Sequence, residues 1–161
     1  MNLILLRHGE ATDNVNELIS DKEIYWSVLT ESGKNVVSES LEYLPNQIDK
    51  IYVSPFPRTI ETASFVFEKS PKTEVIIDNR LHEITYGKFS HKKNNSELDD
   101  TRIKQINNDY FVRFGEYGEN RFTIEERLCN FLLDVEKNNL KEGCYYFSLG
   151  SLSKMKNTKW I

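Results

Sequence analysis

The chain has 161 residues, of which 39% are hydrophobic and 29% are charged, and its formal net charge is −4. A chain of this length and composition can bury the core of one globular domain, so we expect a single domain over 1–161. The acidic balance argues against general binding to nucleic acid or to an acidic membrane, and no apolar run reaches the length of a membrane-spanning helix.

The first predicted element is a short buried strand. Residues 3–6 form an unbroken apolar run that stops at Arg7, His8 and Gly9, which is typical of a strand inside a parallel sheet. Ligands of open α/β sheets bind beyond the carboxyl ends of the strands, so the sequence predicts that Arg7 and His8 reach a functional edge. Gly9 is expected to let the backbone turn and a ligand approach closely. Taken alone, such a triplet is more often an ordinary charged surface turn.

A helix and a second strand follow the first loop. Thr30 is the expected N-cap, the apolar residues after it follow helical spacing, and Pro45 ends the helix. Residues 51–53 indicate a second short strand, and Arg58 follows it at the start of the next predicted helix. Arg58 is therefore a second arginine at a strand end, although it could instead cap its helix or pair with Glu61.

The next part of the chain combines a third strand with a long polar segment. Residues 75–77 indicate the strand, and the loop after it carries His82 and Glu83. The segment 90–121 is polar and weakly periodic. We expect it to be an excursion with one helix, lying over the strand ends like a lid.

The last predicted elements are an amphipathic helix and a fourth strand. Thr123 and Glu126 have the spacing of a capping box, and the apolar residues that follow have helical spacing. Residues 144–147 indicate the strand, after which Ser148 begins a Ser-Leu-Gly-Ser turn. Strands that alternate with helices in this way predict an α/β fold with a mostly parallel sheet and helices on both faces.

The cysteines and the other metal-binding residue types predict no metal site. Cys129 and Cys144 form no CxxC pair, and the sequence has no cluster with metal-ligand spacing. Because the N-terminus has no leader-like pattern, we expect both cysteines to be reduced core residues of a cytoplasmic protein.

Five short motifs occur in a fixed order along nearly the whole chain. They are 6–10 (Leu-Arg-His-Gly-Glu) with Asn14, 29–33 (Leu-Thr-Glu-Ser-Gly), 54–63 (Ser-Pro-Phe-Pro-Arg-Thr-Ile-Glu-Thr-Ala), 81–83 with 86–89, and 118–119 with Arg127. Each motif alone is weak, whereas five in register are specific. Together they resemble the histidine phosphatase superfamily, which includes cofactor-dependent phosphoglycerate mutases and many small phosphatases. The resemblance implies a phosphoglycerate mutase-like three-layer sandwich with a mostly parallel central sheet flanked by helices.

The resemblance also implies a phosphoryl-transfer site. The implied site consists of a histidine nucleophile, a general acid, two phosphate-binding arginines and an assisting asparagine: His8, Glu83, Arg7, Arg58 and Asn14. These residue types suit those roles. A neutral imidazole nitrogen is nucleophilic, guanidinium groups present planar donor forks, and a carboxylic acid with a raised pKa can protonate a departing alkoxide. Glu10, beside the nucleophile, is a rival for the acid role.

The sequence departs from the family pattern at the end of the fourth strand. The family carries a second histidine there, in a Ser-His-Gly turn, whereas this chain has Leu149 in that place. A leucine offers no donor to phosphoryl oxygens, and losing one preorganised donor costs on the order of a hundredfold in rate. The backbone N–H groups of Gly150 and Ser151, at a helix N-terminus, could still bind phosphate. The last residue, Ile161, follows soon afterwards, so we expect a C-terminally short member of the family.

We therefore expect a phosphomonoester hydrolase that acts through a phosphohistidine on a small phosphorylated metabolite, with activity weakened by Leu149. The alternative is a catalytically inactive member that binds a phosphorylated ligand or has a regulatory role. A structural partner that binds no phosphate is a third possibility. The expected partner is a small phosphorylated substrate or inorganic phosphate, and no metal or other cofactor is expected.

Overall fold

The fold is built on a four-stranded sheet in which all paired strands are parallel. The computed structural model describes residues 2–21, 27–93, 95–107, 109–138 and 144–149, with Ile106 and 144–149 described by their backbone alone. The strands are β1 (Asn2–Arg7), β2 (Lys50–Val53), β3 (Glu74–Ile77) and β4 (Cys144–Leu149), in the spatial order β1-β4-β2-β3. Arg7 is in register with Leu149, and Val53 with Ser148, so the carboxyl ends of β1, β4 and β2 lie at one edge.

Five α-helices connect or follow these strands within the described residues. They are α1 (Thr12–Val15), α2 (Glu31–Ser40), α3 (Pro57–Lys69), α4 (Ser96–Ile106) and α5 (Arg121–Asn138), with short 3-10 turns at Leu41–Tyr43, Asn79–Leu81 and Gly87–Phe89. Thr30 caps α2 as predicted, because its hydroxyl accepts a hydrogen bond from the backbone N–H of Gly33 at 3.0 Å. No helix in the described ranges is long and apolar enough to cross a membrane.

Two hydrophobic clusters cover the two faces of the sheet. Leu5 packs on one face with Phe131 of α5, and Leu6, the next residue of β1, packs on the other face with Val66 of α3. This division follows from strand geometry, because successive side chains point to opposite faces. The predicted α/β three-layer arrangement, with a parallel sheet between helices, is therefore confirmed.

A third hydrophobic cluster packs part of the predicted excursion, residues 90–121, against two loops. Leu98 of α4 and Phe114 are buried with Ile19, Tyr86 and Phe89. The prediction of one helix in 90–121 agrees with α4, which is capped by the Asn95 side chain.

Three local predictions differ from the structure. The cap of α5 is formed one turn earlier than predicted, because Asn120 and Thr123 exchange side-chain and backbone hydrogen bonds, and Thr123 is already inside the helix. Strand β4 includes Ser148 and Leu149, which were predicted to lie in a turn. Cys129 is exposed rather than part of the core, because it lies on the side of α5 away from the sheet. The side chain of Cys144 lies outside the described residues.

Candidate functional site

His8 lies directly after β1, and its environment defines which ring nitrogen is nucleophilic. The ring is 8% exposed, and Nδ1 lies 2.7 Å from the carbonyl oxygen of Gly9. Since a carbonyl can only accept, Nδ1 carries the proton and Nε2 keeps its lone pair. Burial, assisted by the positive charge of Arg58, lowers the pKa of His8 from 6.5 to about 4. His8 is therefore a neutral imidazole at neutral pH.

The absence of a side chain at Gly9 also allows close packing, which was not predicted. A Cβ atom at this position would lie 2.5 Å from the carbonyl oxygen of Gly33 and 2.9 Å from Cγ2 of Val37. The missing side chain therefore allows the first turn of α2 to pack against the backbone after His8. This contact, together with β1, fixes the position of His8 from two sides.

Arg58, in the first turn of α3, brings its guanidinium to the same point. Its Nε donates to His8 Nε2 at 3.2 Å, although the two residues are 50 positions apart in sequence. Nη1 donates to the hydroxyl of Ser27 at 3.2 Å, and Nη2 donates to the carbonyl of Ser20 at 3.1 Å. The side chain is only 2% exposed. The alternative pairing with Glu61 is not formed, because Glu61 accepts a hydrogen bond from the backbone N–H of Leu29.

Two buried carboxylates face the Arg58 guanidinium. Asp13 Oδ2 lies 3.4 Å from Nη1, and Glu83 Oε2 lies 4.0 Å from Nη2. Both acidic residues are buried. A buried charge is tolerated only when it is paired and hydrogen-bonded, so these three groups must be considered as one electrostatic unit.

The loop that carries Glu83 is held from the start of α5. Glu119 accepts a hydrogen bond from the Thr85 N–H on its carboxylate and donates its own N–H to the Thr85 carbonyl. Its carboxylate also forms an ion pair with Arg127 at 2.7 Å, and Arg127 donates to the carbonyl of Arg80 on the other side of the loop. The late Gly-Glu motif and the arginine after it therefore position Glu83 indirectly.

A cavity of about 510 Å³ opens beside His8. It is lined by Arg7, His8, Gly9, Glu10, Asn14, Glu17, Leu18, Ile19 and Arg102. Arg7 is exposed, and no side-chain partner for it is found within the described residues. His8 lines this cavity and also contacts Arg58, so it connects the cavity with the buried cluster of Arg58 and its carboxylates.

The other predicted site residues are distributed as follows. Asn14 lines the cavity, and its side-chain oxygen also accepts a hydrogen bond from the Ala11 N–H at 3.0 Å, where it stabilises the first turn of α1. Glu10 lines the cavity too, but its carboxylate accepts the hydroxyl hydrogen of Thr30 at 2.7 Å. Gly150 and Ser151 lie outside the described residues. Leu149 is placed by its backbone alone, in register with Arg7.

Several contact residues were not predicted from the sequence. The burial of Asp13 and Ser27 could not be predicted, because an aspartate or serine in a polar loop belongs to no sequence pattern that indicates burial. Arg102 is the α4 residue that reaches the cavity, and the weak periodicity of its segment gave no reason to select it. Within the described residues, no group of three His, Cys, Asp or Glu side chains is placed to hold a metal ion.

This arrangement is suited to nucleophilic attack on a group with negatively charged oxygens. A neutral imidazole lies at the wall of the cavity, Arg7 lines the same cavity, and the Arg58 guanidinium contacts Nε2 of the imidazole. Donors of this kind stabilise charge that develops on a transferring group. Glu83 Oε2 lies 4.0 Å from Nη2 of Arg58, so the two charged groups attract each other.

Comparison with known proteins finds a family match over most of the chain. The model of the histidine phosphatase superfamily (branch 1) matches residues 3–154. A 2,3-bisphosphoglycerate-dependent phosphoglycerate mutase from Thermoplasma acidophilum is 37% identical over 93 residues, which are 57% of this chain and 46% of the relative. The chain thus spans about half the length of this curated relative.

Solved structures share the fold at low sequence identity. A phosphoglycerate mutase from Bacillus anthracis superposes with a TM-score of 0.77 at 19% identity, covering 93% of this chain and 74% of the other. A mycobacterial glucosyl-3-phosphoglycerate phosphatase, solved with VO3, gives a TM-score of 0.76 at 20% identity, covering 92% and 73%. These likenesses support the architecture described above.

Proposed function

Because the chain belongs to the histidine phosphatase superfamily (branch 1), we propose that it hydrolyses a small phosphomonoester through a phosphohistidine formed on His8. The observation that carries this proposal is the neutral His8 ring, which lines the cavity and whose Nε2 contacts the Arg58 guanidinium. The inferred substrate is a small phosphorylated metabolite, because the cavity of about 510 Å³ has room for one.

In the first step, the lone pair of His8 Nε2 attacks phosphorus and the ester P–O bond breaks. The Nε2 lone pair accepts the Nε–H of Arg58 in the structure, so Arg58 must transfer this hydrogen bond to a phosphoryl oxygen before attack. Arg7 then holds the same group from the cavity side, and the two positive charges offset the charge of the transferring group. Glu83 in its acid form gives its proton to the departing alkoxide.

In the second step, water attacks the phosphohistidine and the P–N bond breaks. Glu83, now a carboxylate, takes a proton from the water, and inorganic phosphate leaves with His8 neutral again. The Nδ1–H bond to the Gly9 carbonyl keeps one tautomer throughout, so that Nε2 is always the reacting nitrogen.

Two further residues are proposed to set the rate and the choice of substrate. Leu149 ends β4 beside Arg7 and brings no donor to the edge of the sheet, so we infer a lowered rate. Arg102 lines the cavity from α4, so we infer that the excursion 90–121 covers the site and contacts the part of the substrate away from phosphorus. The backbone N–H groups of Gly150 and Ser151 and the side chain of Asn14 complete the proposed phosphate site.

The second candidate is a phosphate-binding member without turnover. It is favoured by the internal pairing of Arg58, whose guanidinium contacts His8, Ser20, Ser27 and two carboxylates. A phosphoryl group must displace some of these contacts, which costs binding energy. This candidate predicts phosphate binding that depends on Arg7, with no covalent intermediate.

The two candidates are separated by hydrolysis of an aryl phosphate and by trapping of an acid-labile phosphoenzyme. We expect turnover and trapping by the wild type, loss of both in His8→Ala, and faster turnover in Leu149→His. His91→Ala is the matched control, because His91 is exposed and does not line the cavity. If neither the wild type nor Leu149→His turns over, the hydrolase proposal fails, and phosphate binding sensitive to Arg7→Ala would establish the second candidate.

A further inference from the structure

Asp13 is a buried carboxylate that the proposed reaction does not use. It lies in α1 and is 2% exposed. Its Oδ2 atom forms an ion pair with Arg58 Nη1 at 3.4 Å, whereas Oδ1 has no hydrogen-bond partner among the described residues. A buried charged group with an unsatisfied oxygen is costly, so its presence next to the site calls for a physical reason.

The contacts of Arg58 show what a bound phosphoryl group would have to replace. Ser20 binds Nη2 through its backbone carbonyl, and Ser27 binds Nη1 through a neutral hydroxyl. Asp13 is different from both, because it brings a full negative charge to the same Nη1 atom without a hydrogen bond of good geometry. Carboxylates and phosphates bind guanidinium groups in the same way and repel each other when they share one.

We propose that Asp13 is an internal anion that competes with phosphate for Arg58, and that it thereby weakens the binding of inorganic phosphate, the product. This inference rests on the proposed function, since it takes Arg58 as a phosphate-binding residue. It gives Asp13 a positioning role without contact with the substrate. When phosphate leaves, Asp13 pairs with Arg58 again, and the guanidinium is never left buried and unpaired.

Asp21 provides a matched control within the same part of the molecule. It is buried to a similar degree, but its Oδ2 accepts hydrogen bonds from the Tyr86 N–H and the Ser90 hydroxyl, and it has no contact with Arg58. Asp21→Asn therefore removes a buried carboxylate without removing the competitor of phosphate. Glu31→Gln is the corresponding control for an exposed charge that does not line the cavity.

The test measures the binding of inorganic phosphate to the whole chain by titration calorimetry at one pH and ionic strength. A charge within about 4–6 Å shifts the ionisation equilibrium of a neighbouring group by one to three powers of ten, and a like charge acts against the charged form. We therefore expect Asp13→Asn to bind phosphate at least about tenfold more tightly than the wild type. Asp21→Asn and Glu31→Gln should stay within about twofold of the wild type, because neither carboxylate pairs with Arg58 and so neither competes with phosphate for it. In an Arg58→Ala background, Asp13→Asn should have no effect.

Each possible result of this test either supports or overturns the inference about Asp13. Equal or weaker phosphate binding by Asp13→Asn overturns the inference while leaving the proposed function intact, provided that the wild type binds phosphate in an Arg7-dependent manner. Absence of phosphate binding in both proteins overturns the proposed function and this inference together. Asp13→Ser serves as the second variant, and circular dichroism checks that each protein is folded. If neither variant folds, Asp13 is a structural ion-pair partner and the competition model is wrong.

Discussion

The strongest physical prediction concerns the titration of His8. Burial is the first cause of its lowered pKa, the charge of Arg58 is the second, and Arg7 adds to both. The hydrogen bond to Gly9 and the charge of Asp13 act in the opposite direction. The balance leaves the pKa at about 4 in the folded protein, compared with 6.5 for an ordinary histidine.

The sign of the effect on stability follows from proton counting. Between these two pKa values the unfolded chain binds a proton at His8 and the folded chain does not, so protonation favours unfolding. The free energy of unfolding is therefore unaffected above pH 7 and falls as the pH drops from 6.5 through 4. Between pH 7 and pH 4.5 the loss from this one imidazole is about 2 kcal/mol, and the limit at lower pH is about 3 kcal/mol.

The assay is urea unfolding of the wild type and of His8→Asn at a series of pH values between these limits. Asparagine keeps a donor near the position of Nδ1 and does not titrate, so the difference between the two proteins isolates the imidazole. The difference should change by about 2 kcal/mol across this range, with the wild type losing more. An NMR titration of the three histidines checks the same value directly, and the resonance missing in the variant assigns His8.

Two results would refute this reasoning. The first is a parallel pH dependence of stability in the two proteins. The second is a His8 resonance that titrates between pH 6 and 7, since this would mean that the ring is neither desolvated nor close to Arg58. The same pKa predicts that the acidic limb of kcat/KM falls near pH 4 and not near 6.5.

Four further predictions follow from single contacts. Glu83→Gln should lower the rate of hydrolysis of alkyl phosphates by about 10²–10⁴-fold. The rate with p-nitrophenyl phosphate should fall much less, because its good leaving group needs no proton. Equal losses of rate with both substrates would exclude the acid role of Glu83. Gly9→Ala should reduce the free energy of unfolding by about 1–3 kcal/mol, because its Cβ would lie 2.5 Å from the Gly33 carbonyl oxygen, and a urea midpoint equal to that of the wild type would contradict this. Phe131→Ala should cost about 3–5 kcal/mol in the same assay, since the ring is buried against Tyr52; a loss below 1 kcal/mol would mean that this face is poorly packed. The exposed thiol of Cys129 should react with a maleimide in the native protein, with Cys129→Ser as the control.

The sequence by itself determined where the main strands and helices lie and which charged residues follow them. An apolar run followed by Arg7 and His8 indicates a buried strand with charged residues after it, and the structure has β1 there. Thr30 marks a helix start because a capping side chain acts over a few residues. Such signals are local, so they could be interpreted without knowledge of the rest of the chain.

Where these signals were ambiguous, the error was also local. The cap of α5 was assigned to Thr123 and Glu126, although Asn120 forms it with Thr123, because two overlapping sequences both satisfy the capping pattern. Strand β4 was predicted too short, because Ser148 and the residues after it have turn-like composition. Its pairing with β1 and β2 extends it, and that pairing involves residues far away in sequence.

Only the tertiary structure decided which side chains come into contact at the candidate site and which of them are buried. The approach of Arg58 to His8, the burial of Asp13 and the contribution of Arg102 to the cavity depend on segments that are tens of residues apart. The pKa of a histidine and the pairing of a carboxylate depend on which charges and how much water lie within a few ångströms. No periodicity in the sequence records those distances, so they come from the folded arrangement alone.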